Sequence, residues 1–225
     1  MRIVLVAGVA AALLLAACTS SHGSPQQITI SSGGGSSSAV GPTSSASSRT
    51  TAAPDLTAQL LSSADLPQGW KIDTSVTDDS ADAPPCIVEV KTKLHTAVKA
   101  ERDFIAGPDF PTFQQDIGYF GTSVVAKTVF HAGVAVLNGC TTLTFTASDG
   151  TKFTGTIDPL KLQTFGEESA AWRLVLNADG VTVAIDAVLL QKGAELEALF
   201  YGNIGAVDAI PLTTFVNKTV AKLPA

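Results

Sequence analysis

The sequence predicts an α+β fold, an antiparallel β-meander sheet with helices packed on one face and one disulfide. Three features predict it. After residue 140 apolar and polar residues alternate at a period of two, with turn clusters at 148–150, 177–180 and 191–193. Before that point, and again near the C-terminus, apolar residues recur every three to four positions, the helical period. Cys86 and Cys140 remain as an even pair once Cys18, at the end of an N-terminal apolar run, is set aside.

The chain divides at 1–17, 18–53 and 54–225. Arg2 precedes an apolar run over 3–17, and small residues lead into Cys18. A positive start, a short apolar centre and small residues before the cut describe a secretory leader. Leu15-Ala16-Ala17-Cys18 resembles the lipobox of bacterial lipoproteins. That resemblance implies cleavage before Cys18 and a diacylglycerol thioether on its sulfur. The run is shorter than the about 20 residues a membrane span needs, whereas two or three acyl chains anchor a protein firmly. Residues 19–53 are dominated by Ser, Gly, Thr, Ala and Pro. Such a segment buries too little apolar surface to offset its chain entropy and reads as a tether with a reach of roughly 30–35 Å.

All twenty acidic residues but only twelve of the fourteen basic ones fall in 54–225, which leaves that part near −8. No basic stripe exists, so nucleic acid and anionic lipid headgroups are poor partners. With Cys18 assigned to lipid, an exported pair of cysteines reads as a disulfide between Cys86 and Cys140. Closing that loop is worth roughly 4 kcal/mol in the chain-entropy model.

The elements follow in order. Leu56, Leu60 and Leu61 sit at helical spacing over 56–64, and a short extended run covers 71–76. Residues 78–85 form an acidic, proline-ended loop. Ile87, Val90, Leu94 and Val98 trace an amphipathic helix whose first turn accommodates Pro84 and Pro85. Residues 101–105 extend it or open a strand. The aromatic and β-branched content of 113–128 reads as one long or two short strands. Phe130, Val134 and Leu137 trace a second helix, ended by Asn138-Gly139 and stapled at Cys140. Three hairpin turns then link strands at 142–146, 152–157, 171–176, 181–190 and 195–201. Leu212, Phe215, Val216, Thr219 and Val220 mark a terminal helix across a five- or six-stranded sheet.

Several stretches together have a familiar order: the lipobox and tether, then Leu60-Leu61-Ser62-Ser63-Ala64-Asp65-Leu66-Pro67-Gln68-Gly69-Trp70, one cysteine on each of two helices, and Phe165-Gly166-Glu167-Glu168-Ser169-Ala170-Ala171-Trp172-Arg173 opening a meander. This resembles actinobacterial, especially mycobacterial, cell-envelope lipoproteins. That group is similar to the extracellular sensor domain of a mycobacterial membrane serine/threonine kinase. The resemblance spans the domain but rests on structural motifs, and it implies no catalytic residue. The kinase sensor family has four cysteines in two disulfides, whereas only Cys86 and Cys140 are present here for that role.

The candidate site residues are few. Trp70, Phe120, Phe153, Trp172, Phe200 and Tyr201 are candidates to line an apolar pocket. His95 and His131 read as surface or helix-end histidines, because a zinc site needs three or four ligands and neither has one nearby. Glu167-Glu168 beside Arg173 reads as a solvated turn with a strand-edge ion pair, and Asp78, Asp79 and Asp82 lack the spacing of a calcium loop. Ser169-Ala170 lacks the nucleophile elbow of a hydrolase. No cofactor or metal signature is present. The expected function is a non-catalytic, lipid-anchored binding or sensor-type domain on the extracytoplasmic face of the cell membrane. Its expected partners are the membrane, an envelope protein or a small apolar ligand. The alternative is an envelope lipid or glycolipid carrier, which needs a cavity of several hundred Å³; a hydrolase is the weakest reading.

Overall fold

A computed structural model describes residues 54–75, 83–96, 98–146, 150–205 and 209–224. The leader, Cys18, the tether and most of the acidic loop fall outside the described residues. The remainder is α+β, with one antiparallel sheet and the expected Cys86–Cys140 disulfide.

The sheet has eight strands: β1 Lys71–Ile72, β2 Val98–Ile105, β3 Thr112–Tyr119, β4 Thr142–Thr146, β5 Lys152–Pro159, β6 Glu168–Ala178, β7 Val181–Lys192 and β8 Glu195–Ile204. Their spatial order is β1-β2-β3-β8-β7-β6-β5-β4. The meander from β4 to β8 is thus the one the period-two pattern predicts, and a separate hairpin, β2–β3, completes the sheet beside β8. Three α-helices accompany it among the described residues: α1 Pro85–Lys93, α2 Ser123–Gly139 and α3 Ala209–Lys222.

The composition of each strand follows from where it lies. β5, near one edge, alternates buried and exposed residues, as a strand with one covered face does. β7 is buried at almost every position, and its sequence Val-Thr-Val-Ala-Ile-Asp-Ala-Val-Leu-Leu is nearly unbroken in apolar residues. Both faces of β7 and β8 therefore need covering. Val183, Ile185 and Leu189 look toward α1 and α2, while Ala184, Val188 and Leu190 look toward α3 and residues 56–66. The helices consequently divide between two faces rather than lying on one.

Three local expectations change. Val98 belongs to β2, not to the preceding helix. Its spacing from Val90 and Leu94 is helical, but eight cross-strand pairs with β3 outweigh another turn of helix. The chain over 123–128 is helical rather than extended: Thr122 caps α2 by accepting the Val125 N–H at 3.3 Å, and cap chemistry overrides the β-preference of Val124 and Val125. Residues 56–65 form two short 3-10 turns instead of one helix. The Leu61 N–H donates to Gln115 Oε1 at 2.8 Å, and the Leu61 carbonyl accepts from Arg102 at 2.7 Å. Backbone groups claimed by the sheet's side chains cannot also build a helical ladder.

The disulfide joins the first turn of α1 to the residue that follows α2, with the two Cα atoms 5.9 Å apart. Gly133 lets α2 sit close to its neighbours, since a Cβ there would lie 3.2 Å from a Leu94 methyl.

Candidate binding site

The sheet separates the six aromatic residues expected to line one pocket. Trp70 and Tyr201 pack on the α3 face, where Phe215 stands 5.4 Å from the Trp70 ring and 6.1 Å from the Tyr201 ring. Phe153, Trp172 and Phe200 lie on the α1/α2 face, and Phe120 packs at its margin. A single pocket cannot include both groups, because adjacent residues of a strand point to opposite faces.

An apolar cavity exists on the α1/α2 face. Trp172, Phe200, Ala198 and Leu189 of the sheet line it with Ile87 and Val90 of α1. Its volume is about 40 Å³, room for roughly three water-sized groups. A lipid carrier needs several hundred Å³, so this space does not favour that alternative. Trp172 is held at the cavity by a 3.1 Å hydrogen bond from its indole N–H to Asn138 Oδ1.

The same face carries, on its outer strands β2 and β3, a group of carboxylates that the sequence did not single out. Cross-strand partners share a face, so the strand register fixes the layout. One row runs Asp103, Gln114, Phe200, Ala187, Trp172; the next runs Glu101, Asp116, Ala198, Leu189. The apolar end of each row is cavity lining, and the other end is acidic. Asp103 and Asp116 are partly exposed, and neither belongs to an ion pair among the described residues. Burial pushes Asp103 up to about 7, with the charges of Glu101 and Asp73 adding to the shift. Burial likewise holds Asp116 well above the usual carboxylate range, reinforced by Glu101 and Asp103 and opposed by a Gln114 hydrogen bond and Lys99. Gln114 is 2 % exposed; its amide nitrogen lies 3.3 Å from Asp116, while its Oε1 has no partner. The only advance signal was an acid in mid-strand, at Thr-Phe-Gln-Gln-Asp-Ile, where alternation alone gives no reason for a charge.

A second polar group is enclosed on the opposite face. Gln59 donates to Glu195 Oε1 at 3.0 Å, and Gln115 donates to Glu197 Oε1 at 3.3 Å. Both glutamates are buried, and burial pushes Glu197 up to about 8, with Glu195 and Asp116 adding to the effect and Gln115 opposing it. These side chains tie residues 56–61 to β3 and β8, which makes them structural.

The remaining candidates resolve into ion pairs and local turns. Arg173 makes a two-pronged ion pair with the buried Asp186, at 2.6 and 2.7 Å, rather than with Glu167 or Glu168. Those two glutamates instead meet Lys127 and His131 of α2, each at 3.0 Å. The serines that touch carboxylates, Ser62 on Asp65 and Ser75 on Asp73, do so within local turns. Among the described residues, no three His, Cys, Asp or Glu side chains are arranged to hold a metal ion. No described helix is long and apolar enough to cross a membrane.

No protein-family model and no curated protein sequence matches the chain. Among solved structures, it is similar to the extracellular domain of PknH from Mycobacterium tuberculosis. The TM-score is 0.47 at 12% sequence identity, over 58% of this chain and 65% of that one. The chain thus spans just under two thirds of that domain.

Proposed function

We propose that this chain is a lipid-anchored, extracytoplasmic binding or sensor-type domain with no chemistry of its own. The observation that supports this reading best is the pairing of Cys86 with Cys140 across 54 residues of sequence. Such bonds persist in oxidising compartments and are rare in the cytosol, which agrees with a leader that ends in a lipobox-like Leu15-Ala16-Ala17-Cys18. The site itself favours binding over turnover. A small cavity lined by aromatic and aliphatic side chains supports binding, and the serines that touch carboxylates do so within local turns.

The test is the mature chain from its native cells. Intact mass should show loss of residues 1–17 and a diacylglyceryl group on Cys18, with Cys86 and Cys140 resistant to alkylation until reduced. A Cys18→Ser variant should leave the membrane fraction. A chain that keeps its first 17 residues, or carries two free thiols in the cytosol, overturns the reading.

A further inference from the structure

We infer that β4, the strand that ends the sheet opposite β1, pairs edge to edge with β4 of a second copy of this chain. The inference goes beyond the binding-domain reading and does not depend on the lipid anchor.

The register shows which main-chain groups face outward. β4 pairs with β5 on one side, Thr142 opposite Thr156 and Thr146 opposite Lys152, and it is the last strand of the sheet. In the same register the Ile157 N–H donates to the Thr141 carbonyl at 3.3 Å. Main-chain groups of successive residues alternate in direction across an antiparallel pair. Leu143 and Phe145 therefore turn theirs toward β5, and Thr142, Thr144 and Thr146 turn theirs away from the sheet. Among the described residues, none of these outward N–H and C=O groups has a backbone partner.

Chemistry separates this edge from the other one. β1 is two residues long and begins at Lys71, and β2 beside it carries Lys99, Glu101 and Asp103. Short strands and charges of that kind keep a sheet edge from pairing with another chain. β4 reads Thr-Leu-Thr-Phe-Thr, without charge, proline or glycine. Thr142 and Thr144 are exposed, and β-branched residues favour a pleated pairing surface.

The strand is also complementary to itself. A twofold axis at Thr144 sets that residue against its own copy and Thr142 against Thr146 of the other chain, which satisfies the outward groups with about six hydrogen bonds. Leu143 of each copy then lies opposite Phe145 of the other. Phe145 is half-buried and stacked on Phe153 at 4.9 Å, and the new neighbour adds to its cover. Charge agrees with this arrangement. Lys152 lies level with Thr146, and Asp158 lies two residues beyond the level of Thr142, both exposed. Antiparallel pairing brings the Lys152 end of one copy to the Asp158 end of the other, opposite signs across the seam. Five residues a side cover less than the roughly 1,200–2,000 Å² of a stable complex. The pair is therefore of the weak, reversible class, and trapping is the way to read it.

The experiment uses the full chain with Cys18→Ser, which removes the thiol outside the Cys86–Cys140 pair. Single cysteines are added, and disulfide-linked dimer is followed in concentrated solution by non-reducing gel and intact mass. Cα atoms of a hydrogen-bonded antiparallel pair lie about 5.5 Å apart, within disulfide reach. Thr144→Cys should link about tenfold faster than Thr154→Cys, which is also exposed but one strand in from the edge. Thr142→Cys alone should link no faster than Thr154→Cys, whereas a mixture of Thr142→Cys and Thr146→Cys should link readily. Adding Thr144→Pro to both members of the mixture should abolish that gain and leave thermal unfolding unchanged, because an outward edge N–H serves no pair within the sheet. Thr144→Lys sets like charges at the axis, should act the same way, and serves as the test if the proline variant unfolds. The inference is overturned if Thr144→Cys links no faster than Thr154→Cys, if Thr142→Cys alone links as fast as Thr144→Cys, or if neither substitution at Thr144 slows the mixture. It is overturned equally if Thr144→Cys in cells is captured on a different protein, which marks another chain's strand as the occupant. None of these results bears on the processing of Cys18, so the anchored binding domain stands or falls by its own test.

Discussion

The two faces of the sheet solve the same burial problem with different materials. On the α1/α2 face the interior is apolar, and the covering helices are stapled by Cys86–Cys140. On the α3 face there is no covalent staple among the described residues. Its cover, residues 56–66 and α3, is held by side chains that reach across to main-chain oxygens: Arg102 to Leu61, Lys222 to Leu60, and Lys192 to Val220 and Leu223. Gln59, Gln115, Glu195 and Glu197 run through that interior. The stapled face carries two acids, Asp103 and Asp116, partly exposed on its outer strands. The polar-laced face is closed around its carboxylates. One cover is held by a covalent bond, whereas the other is held by hydrogen bonds that occupy its polar groups.

The comparison can be broken most severely at Phe215. Its ring meets Trp70, Phe113 and Tyr201 and is 1 % exposed. Phe215→Ala should cost about 3–5 kcal/mol in denaturant unfolding, the usual range for a large aromatic removed from a core. Hydrogen exchange should rise first over 56–66 and α3, not over α1. The reciprocal break is Cys86→Ser with Cys140→Ser. That pair should lose about 2–4 kcal/mol and release exchange mainly in α1 and the start of β4, where the bond is anchored.

Acid–base chemistry sharpens the contrast. Glu197 is an acid whose folded value is raised from 4.5 to about 8. Its fold therefore holds a proton that the unfolded chain gives up, and stability falls as pH climbs between those two values. Glu197→Gln should flatten that slope, with the variant gaining most over wild type above about pH 8 and little near pH 4. Asp65 behaves oppositely. Its hydrogen bond from Lys222, aided by Ser62, lowers it from 3.8 to about 2, so its contribution is present at neutral pH and lost as pH falls through about 2. Lys222→Ala should weaken that acid-side dependence, leaving the part due to Ser62, with the smallest effect of the series, under about 1 kcal/mol, because the pair is about a third exposed. pH-scanned thermal unfolding of the two variants would show whether the slopes separate in this way.

Much of the fold was legible because it is local. The hairpins from β4 to β8 are set by alternation and by turn glycines such as Gly150, Gly180 and Gly193, each with positive φ. The terminal helix was visible in the stripe from Leu212 to Val220. The β2–β3 hairpin was not. Val-Lys-Ala-Glu-Arg-Asp-Phe-Ile alternates incompletely, since Arg102 falls on the face of Val98, Ala100 and Phe104, and Val98 continues the helical spacing that precedes it. The candidate site escaped for the same reason. Trp172 and Phe200 were recognisable as apolar candidates, yet the acids on the same face come from strands distant in sequence.

The sequence by itself determined what depends on neighbours along the chain: the strand and helix periods, the turns, the domain charge, and an even pair of cysteines. The residues around Cys18 resemble a lipobox, and the address they imply belongs to the proposed function. Only the tertiary structure decided which residues share a face. It separated Trp70 and Tyr201 from Trp172 and Phe200, and it set Asp103 and Asp116 on the outer strands of the face that carries the cavity. The physical reason is register. A one-residue slip in pairing exchanges the faces of a whole strand, and that register is fixed by contacts between β3 and β8, some eighty residues apart in the chain.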